Sequence, residues 1–210
     1  RFFLHDSMDT GNWRLKGHAV QHFWEWVASW SRCISKPSDV GFSDDGYILP
    51  NLNEHTHIVQ IDRSTNGDFE KDGQGMLFRM PDTSATSIHK EKRISLDSRV
   101  SELQKIVNSK TDEPWIIWCD TDYEADELAK ALPDAIEVRG SMSADQKEAN
   151  LVAFSEGTAR QIITKPSLAG FGLNWQHCNN MAFVGLSFSY ENYYQAIRRC
   201  YRFGQEREVN

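Results

Sequence analysis

Toward its end the chain reads SYENYY over 189–194 and then QAIRRCYRFGQ over 195–205. Arginine suits phosphate, because its guanidinium is planar, permanently charged and able to donate two parallel hydrogen bonds. If Ser189 caps a helix through this stretch, a step of about 100° per residue puts Tyr190, Tyr193, Tyr194, Ile197, Cys200 and Tyr201 on one side. Gln195, Arg198, Arg199 and Arg202 then share the other, a face suited to a polyphosphate. The same pattern also describes a solvated cationic face at a helix C-terminus, where the macrodipole favours positive charge.

Two other stretches carry candidate chemistry. In RQIITKPSLAGFGLNW, residues 160–175, Ser167, Gly170, Gly172 and Asn174 make a small polar loop. Its glycines let a ligand approach the backbone, and its amides with Ser167 or Asn174 can hold phosphate or ribose. The run IIWCDTD, 116–122, ends with Asp120 and Asp122 two residues apart. That resembles the nucleophile motif of haloacid dehalogenase-type phosphatases, with Lys165 as that family's lysine. Against it, the apolar run MAFVGL leads to Gly185, Leu186 and Ser187, where that chemistry needs a magnesium-binding acidic pair. No GxxxxGK[ST] string occurs, and the one DExx string, Asp112 to Trp115, precedes its strand instead of following it. His18 with His22 and His55 with His57 are spaced as ligand pairs but have no third ligand in view, so no metal site is expected.

The elements that must position these residues follow from periodicity. SLDSRVSELQKIVNS reads as a helix with Val100, Leu103, Ile106 and Val107 on one stripe and Ser95 or Ser98 as cap. PWIIWCD reads as a buried strand, DYEADELAKAL as a helix ended by Pro133, AIEVRG as a strand, SADQKEANLVAFSEG as a helix stopped at Gly157, and RQIIT and MAFVGL as strands. Alternating strands and helices predict an α/β fold with a mainly parallel sheet and right-handed crossovers. Ligands of such sheets gather at the carboxyl ends of the strands, which brings Asp120 to Asp122, Arg139 to Ser143, Lys165 to Asn174 and the arginine helix to one edge.

Strand, glycine loop, strand and arginine helix in this order resemble motifs V and VI of superfamily two helicases, most closely the Swi/Snf-like DNA translocases. There the motifs run TKAGGLGLN and QAIGRxHRxGQ; here they stand as TKPSLAGFGLN, 164–174, and QAIRRCYRFGQ. Arg198 replaces the family's usual Gly or Asp, and the first loop carries an extra residue with Pro166 and Ser167. The resemblance covers about 94–210 and implies a RecA-like (P-loop NTPase-like) helicase C-terminal lobe, three-layered α/β/α. It implies Arg199 and Arg202 as catalytic arginine fingers, and Gln195, Gly170, Gly172 and Asn174 at nucleotide. Arg139, Ser141, Lys165 and Ser167 would lie on the nucleic acid. ATP and Mg2+ are the implied cofactors, with the magnesium ligands on a first RecA-like lobe of the same polypeptide, and DNA, duplex or single-stranded, is the implied partner.

The opening, WRLKGHAVQHFWEWVASWSRCI, places Phe23, Trp26, Val27 and Trp30 at helical spacing as core residues, and HTHIVQID at 55–62 reads as a strand. Residues 1–62 resemble the tail of the first motor lobe of Swi/Snf-like helicases from phage and prophage genomes. Residues 63–93 read as a linker or mobile insertion, and 94–210 as the C-terminal lobe. Arg1 in place of an initiator methionine suggests an excised or processed piece.

At 40% hydrophobic and 25% charged residues, the composition is that of a soluble globular protein. No apolar run nears the roughly 18 residues of a membrane span, and no signal peptide opens the chain, so a cytoplasmic place in a bacterial or phage-infected cell is expected, with no membrane partner. Four cysteines without a CxxC read as buried free thiols. The net charge of −7 excludes a general nucleic-acid coat. Residues 94–136 hold 10 acids and 4 bases, whereas 137–210 hold 7 and 8, which leaves room for a local patch. A noncatalytic interaction module with this fold is the remaining alternative.

Overall fold

The computed structural model describes residues 2–5, 13–61, 85–170 and 172–210. They fall into two compact units, Arg1–Ile48 and Leu49–Asn210. In the first, strands β1 (Phe3–His5) and β2 (Trp13–Leu15) pair antiparallel, and a 3-10 turn leads into helix α1 (Val20–Trp30). Phe2 and Phe3 meet Phe23 at 5.6 and 5.4 Å between ring centres, and Trp26 stacks on Phe2. The expected core of Phe23, Trp26, Val27 and Trp30 does not form: no residue of α1 is buried, and Trp30 is 63% exposed. One helix and a three-residue hairpin supply too little second layer to enclose an aromatic stripe.

The second unit holds helices α2 (Ala85–Ile94) and α3 (Leu96–Asn108), then strand β3 (Trp115–Trp118), α4 (Asp122–Ala131), β4 (Ile136–Val138), α5 (Ala144–Ser155), β5 (Gln161–Thr164), α6 (Pro166–Ala169), β6 (Asn180–Phe183) and α7 (Tyr190–Ile197). The four strands are parallel in the order β4-β5-β3-β6, with Ile116 opposite Ile162 and Met181. The two-residue period of β3 serves two cores. Trp115 and Ile117 pack with Val100, Leu103, Val107 and Leu128 of α3 and α4. Ile116 and Trp118 pack with Phe154 of α5, Ala196 of α7 and Trp175. The result is a three-layer α/β/α sandwich.

Backbone pairing continues beyond β6. The Asn210 amide donates to Asn179 O and its carbonyl accepts from the Met181 amide, both at 2.8 Å, while Val209 bridges Leu52 in parallel. The last residues of the chain therefore extend the sheet, and 51–53 flank them. This disposes of the strand expected at 55–62: residues 53–61 carry no strand, with Ile58 89% exposed, and residue 62 lies outside the described residues. The edge it would need is already taken by 208–210 and 51–53.

Of the stretch read as a linker, 63–84 lies outside the described residues and 85–93 belongs to α2. Ser95, not Ser98, stands at the N-cap position of α3, but its side chain makes no cap bond, its Oγ donating instead to Glu91 O at 2.7 Å. Cys119, Cys178 and Cys200 are buried free thiols, but Cys33 is exposed. No described helix is long and apolar enough to cross a membrane.

Candidate nucleotide and nucleic-acid interface

From β3 the chain leaves toward one face of the sheet through α4, and from the neighbouring β5 and β6 toward the other. Loops that part in this way open a crevice at the carboxyl ends of the strands. A cavity of about 100 Å³ lies there, lined among others by Asp120, Lys165, Ser167, Gly185 and Tyr193.

One buried carboxylate braces the residues beside it. Glu124, with no exposed surface, accepts from the Asp120 and Thr121 amides at 2.9 and 3.1 Å and closes the capping box of α4. Its other oxygen takes Arg99 Nη1 of α3 at 2.9 Å, and Arg99 also donates to Val184 O at the end of β6 and to Lys92 O. Gly185 passes over this carboxylate so closely that a Cβ would stand 2.6 Å from Glu124 Oε1. Lys92 of α2 donates to Asp120 Oδ2 at 2.5 Å and Leu186 O at 2.7 Å. Asp120 is thus held in an ion pair, and the residues after β6 contribute no carboxylate facing it. Burial and then Glu124 push the Cys119 thiol up to about 12, which leaves it protonated at neutral pH.

The cations expected to grip nucleic acid are also paired. Lys165 Nζ lies 2.8 Å from Asp122 Oδ1, and this lysine holds the Asp122 carboxyl below its ordinary range. Arg139 is held between Glu137 and Asp126. Ser141 and Ser167 are exposed, Ser167 at the cavity rim and Ser141 past the end of β4.

At the other motif, Ser189 caps α7 as expected, its Oγ accepting from the Asn192 amide at 3.2 Å. The helix stops at Ile197, short of the run to 205. Arg199 bends back to donate Nε to Gln195 O at 3.0 Å, and the next backbone amides turn to i−3 carbonyls: Arg199 to Ala196 and Cys200 to Ile197. The tightened turn rotates the arginines apart. Arg198 joins the tyrosine side, bonding Tyr194 Oη at 3.1 Å and Tyr201 O at 2.9 Å. Of the tyrosines, Tyr190 is 75% and Tyr194 42% exposed, and neither is buried as expected.

Arg199 and Arg202 remain together and meet the glycine loop at one atom. Arg199 Nη1 at 2.6 Å and Arg202 Nη1 at 3.1 Å both donate to Leu173 O. Arg199 is only 6% exposed; its Nη2 reaches Gln195 Oε1 at 3.3 Å, and its own carbonyl accepts the Trp175 amide at 3.0 Å. Burial first and Arg202 second lower its pKa. Gln205 completes the suture, its Nε2 donating to Gln176 O, Cys178 O and Cys200 O. In the loop, Gly170 donates its amide to Pro166 O at 2.7 Å, Gly172 takes φ +76°, where other residues are strained, and exposed Asn174 accepts the Gln176 amide at 3.4 Å.

Sequence reasoning missed Lys92, Arg99, Glu124 and Gln205. The Thr121-x-x-Glu124 spacing, a capping-box signature, pointed to Glu124, and the closing residue of QAIRRCYRFGQ to Gln205. Among the described residues, no three His, Cys, Asp or Glu side chains gather as a metal would require.

Residues 98–204 match the family model described as helicase conserved C-terminal domain. No curated protein matches. Among solved structures, the C-terminal part of the Fun30 ATPase domain is 24% identical at TM-score 0.48, covering 54% of this chain and 39% of that one. The C-terminal domain of the DEAD-box protein Dbp5 is 19% identical at TM-score 0.46, covering 53% and 67%. S. cerevisiae Dbp5 bound to RNA and ADP BeF3 is 18% identical at TM-score 0.48, covering 54% and 31%. The chain thus spans well under half the length of the first of these.

Proposed function

The chain belongs to the helicase conserved C-terminal domain family, and from that premise we propose that it is the second motor lobe of an ATP-driven, Swi/Snf-like DNA translocase of phage or prophage type. Its sandwich is the RecA-like C-terminal lobe of superfamily 2 helicases. The observation that carries the proposal is the meeting of two motifs at one oxygen: the loop after β5 and the turn after α7 are joined through Leu173 O by Arg199 and Arg202. A loop that touches nucleic acid and a turn that touches nucleotide, tied in this way, move as one body.

ATP supplies the phosphoryl group, with its magnesium ligands on the first lobe. Of this chain's residues, Arg202 suits the phosphates best, since it is half-buried and, among the described residues, its side chain makes a single hydrogen bond. Gln195, Gly170, Gly172 and Asn174 would line the nucleotide side. Arg139, Ser141, Lys165 and Ser167 would take the nucleic-acid backbone, contacts that grip without reading sequence.

The test measures ATP turnover by the full-length protein without nucleic acid, with duplex DNA, with single-stranded DNA and with RNA. Stimulation by DNA, lost in Arg202→Ala with thermal unfolding unchanged, is expected. Absence of any nucleic-acid-stimulated turnover would leave the interaction-module reading in its place.

A further inference from the structure

The outer edge of β6 is paired over only part of its length. Backbone groups along a strand alternate in direction. The Val184 amide donates inward to Trp118 O of β3 at 2.9 Å, whereas the Met181 amide donates outward to Asn210 O at 2.8 Å. Phe183, two residues past Met181, therefore directs its amide and carbonyl outward as well, and among the described residues neither has a hydrogen-bond partner there.

Across from this edge, the Asn53 amide donates to Val209 O at 2.8 Å and Asn51 O accepts the Val209 amide at 2.9 Å. Residues 208–210 thus hold 51–53 two strand spacings from β6, about 9–10 Å. Residues 54–59 run on without backbone pairing and are tied to the helices instead: Tyr193 Oη of α7 donates to Glu54 Oε1 at 3.2 Å, and His57 Nδ1 lies 3.6 Å from Glu102 Oε1 of α3. Between them and β6 is a cavity of about 390 Å³, with Leu103 and Ile106 of α3 on one side and Ile197 of α7 on the other.

We infer that this lane is a docking site for an extended peptide segment of a partner protein, which adds to the sheet as a strand between Phe183 and residues 54–59. The inference is independent of the motor reading. A strand matches the open amide and carbonyl of Phe183 with its own backbone, and its side chains alternate between α3 and α7. Both of those walls are apolar, so the segment is a continuous apolar run, as in strands covered on both faces. A compact apolar molecule would fill the volume but shut the Phe183 backbone groups away from water without partners, which folded chains avoid. Residues 54–59 do not close the lane themselves, because 208–210 separates the start of this segment from β6.

The probe is the acetylated and amidated peptide Lys-Val-Ile-Val-Ile-Lys, added to the full-length protein and to this chain. Calorimetry should show binding to both, and at saturation exchange of the Phe183 amide in this chain should slow at least about tenfold. The same peptide N-methylated at its four central residues keeps the side chains but cannot pair as a strand, and should bind at least about tenfold more weakly. Equal affinity of the two peptides, or unchanged Phe183 exchange, would overturn the strand geometry. Binding by this chain but not by the full-length protein would mean that the protein's own polypeptide fills the lane, and would overturn the partner. No binding by either would overturn the site.

Discussion

Glu124 carries more of the second unit than any residue of the two motifs, because one carboxylate ties β3, α3, α4 and, through Arg99, the end of β6. Removing one partner of a buried pair strands the other charge, so Glu124→Ala should lower unfolding free energy by about 3–5 kcal/mol in urea titrations. Gly185→Ala should approach that loss by another route, since its Cβ displaces the same carboxylate. His177 offers a pH test. Burial first and Arg207 second lower its pKa, and its buried Nε2 has no hydrogen-bond partner among the described residues. The folded state therefore binds this proton less readily than the unfolded chain. Its contribution is present above the unfolded value of about 6.5 and is lost as pH falls through the lower folded value. His177→Gln should flatten the fall in melting temperature over roughly pH 7 to 5; an unchanged slope would assign the acid loss to other groups.

At the scale of elements, periodicity and capping decided most of what could be read. The stripe Val100, Leu103, Val107 turns inward as its spacing requires, and Thr121 caps α4 in a box with Glu124. Thr121→Ala should cost about 1 kcal/mol by urea unfolding, and a larger loss would mean that Glu124 moves with the cap. The helices and strands of the sandwich were legible because apolar spacing is written in side chains. The meeting of Arg199 and Arg202 at one atom was not, because that atom is a backbone carbonyl, Leu173 O, and carbonyls have no letter in a sequence. The α1 stripe misled for the opposite reason: its aromatic spacing is helical, but spacing does not reveal whether a second layer exists to cover it. The strand expected at 55–62 failed on competition, since Val209 and Asn210 claim the sheet edge first. Deleting 208–210 should therefore destabilise the second unit, seen as a lower melting temperature and faster exchange of the Met181 amide.

For the whole molecule, charge and the missing phosphate cradle set what the chain can do unaided. With no GxxxxGK[ST] string in its 210 residues, it should show only background ATP hydrolysis by itself, with or without DNA. Robust hydrolysis abolished by Arg202→Ala would refute a site divided between lobes. Nucleic-acid binding by the chain should be weak, because its net charge is −7 and the two basic side chains proposed to face the backbone already hold carboxylates, Lys165 on Asp122 and Arg139 on Glu137 and Asp126. A phosphate must displace those carboxylates, so the acids act as competitors. It follows that Asp122→Asn should tighten binding to a short duplex, while Lys165→Ala should weaken it and reduce the slope of log affinity against log salt by about 1. Fluorescence anisotropy across a salt series reads both. Should Asp122→Asn weaken binding as much as Lys165→Ala does, the ion pair would be a support for the loop after β5, and the nucleic acid would have to lie elsewhere on the sheet's edge.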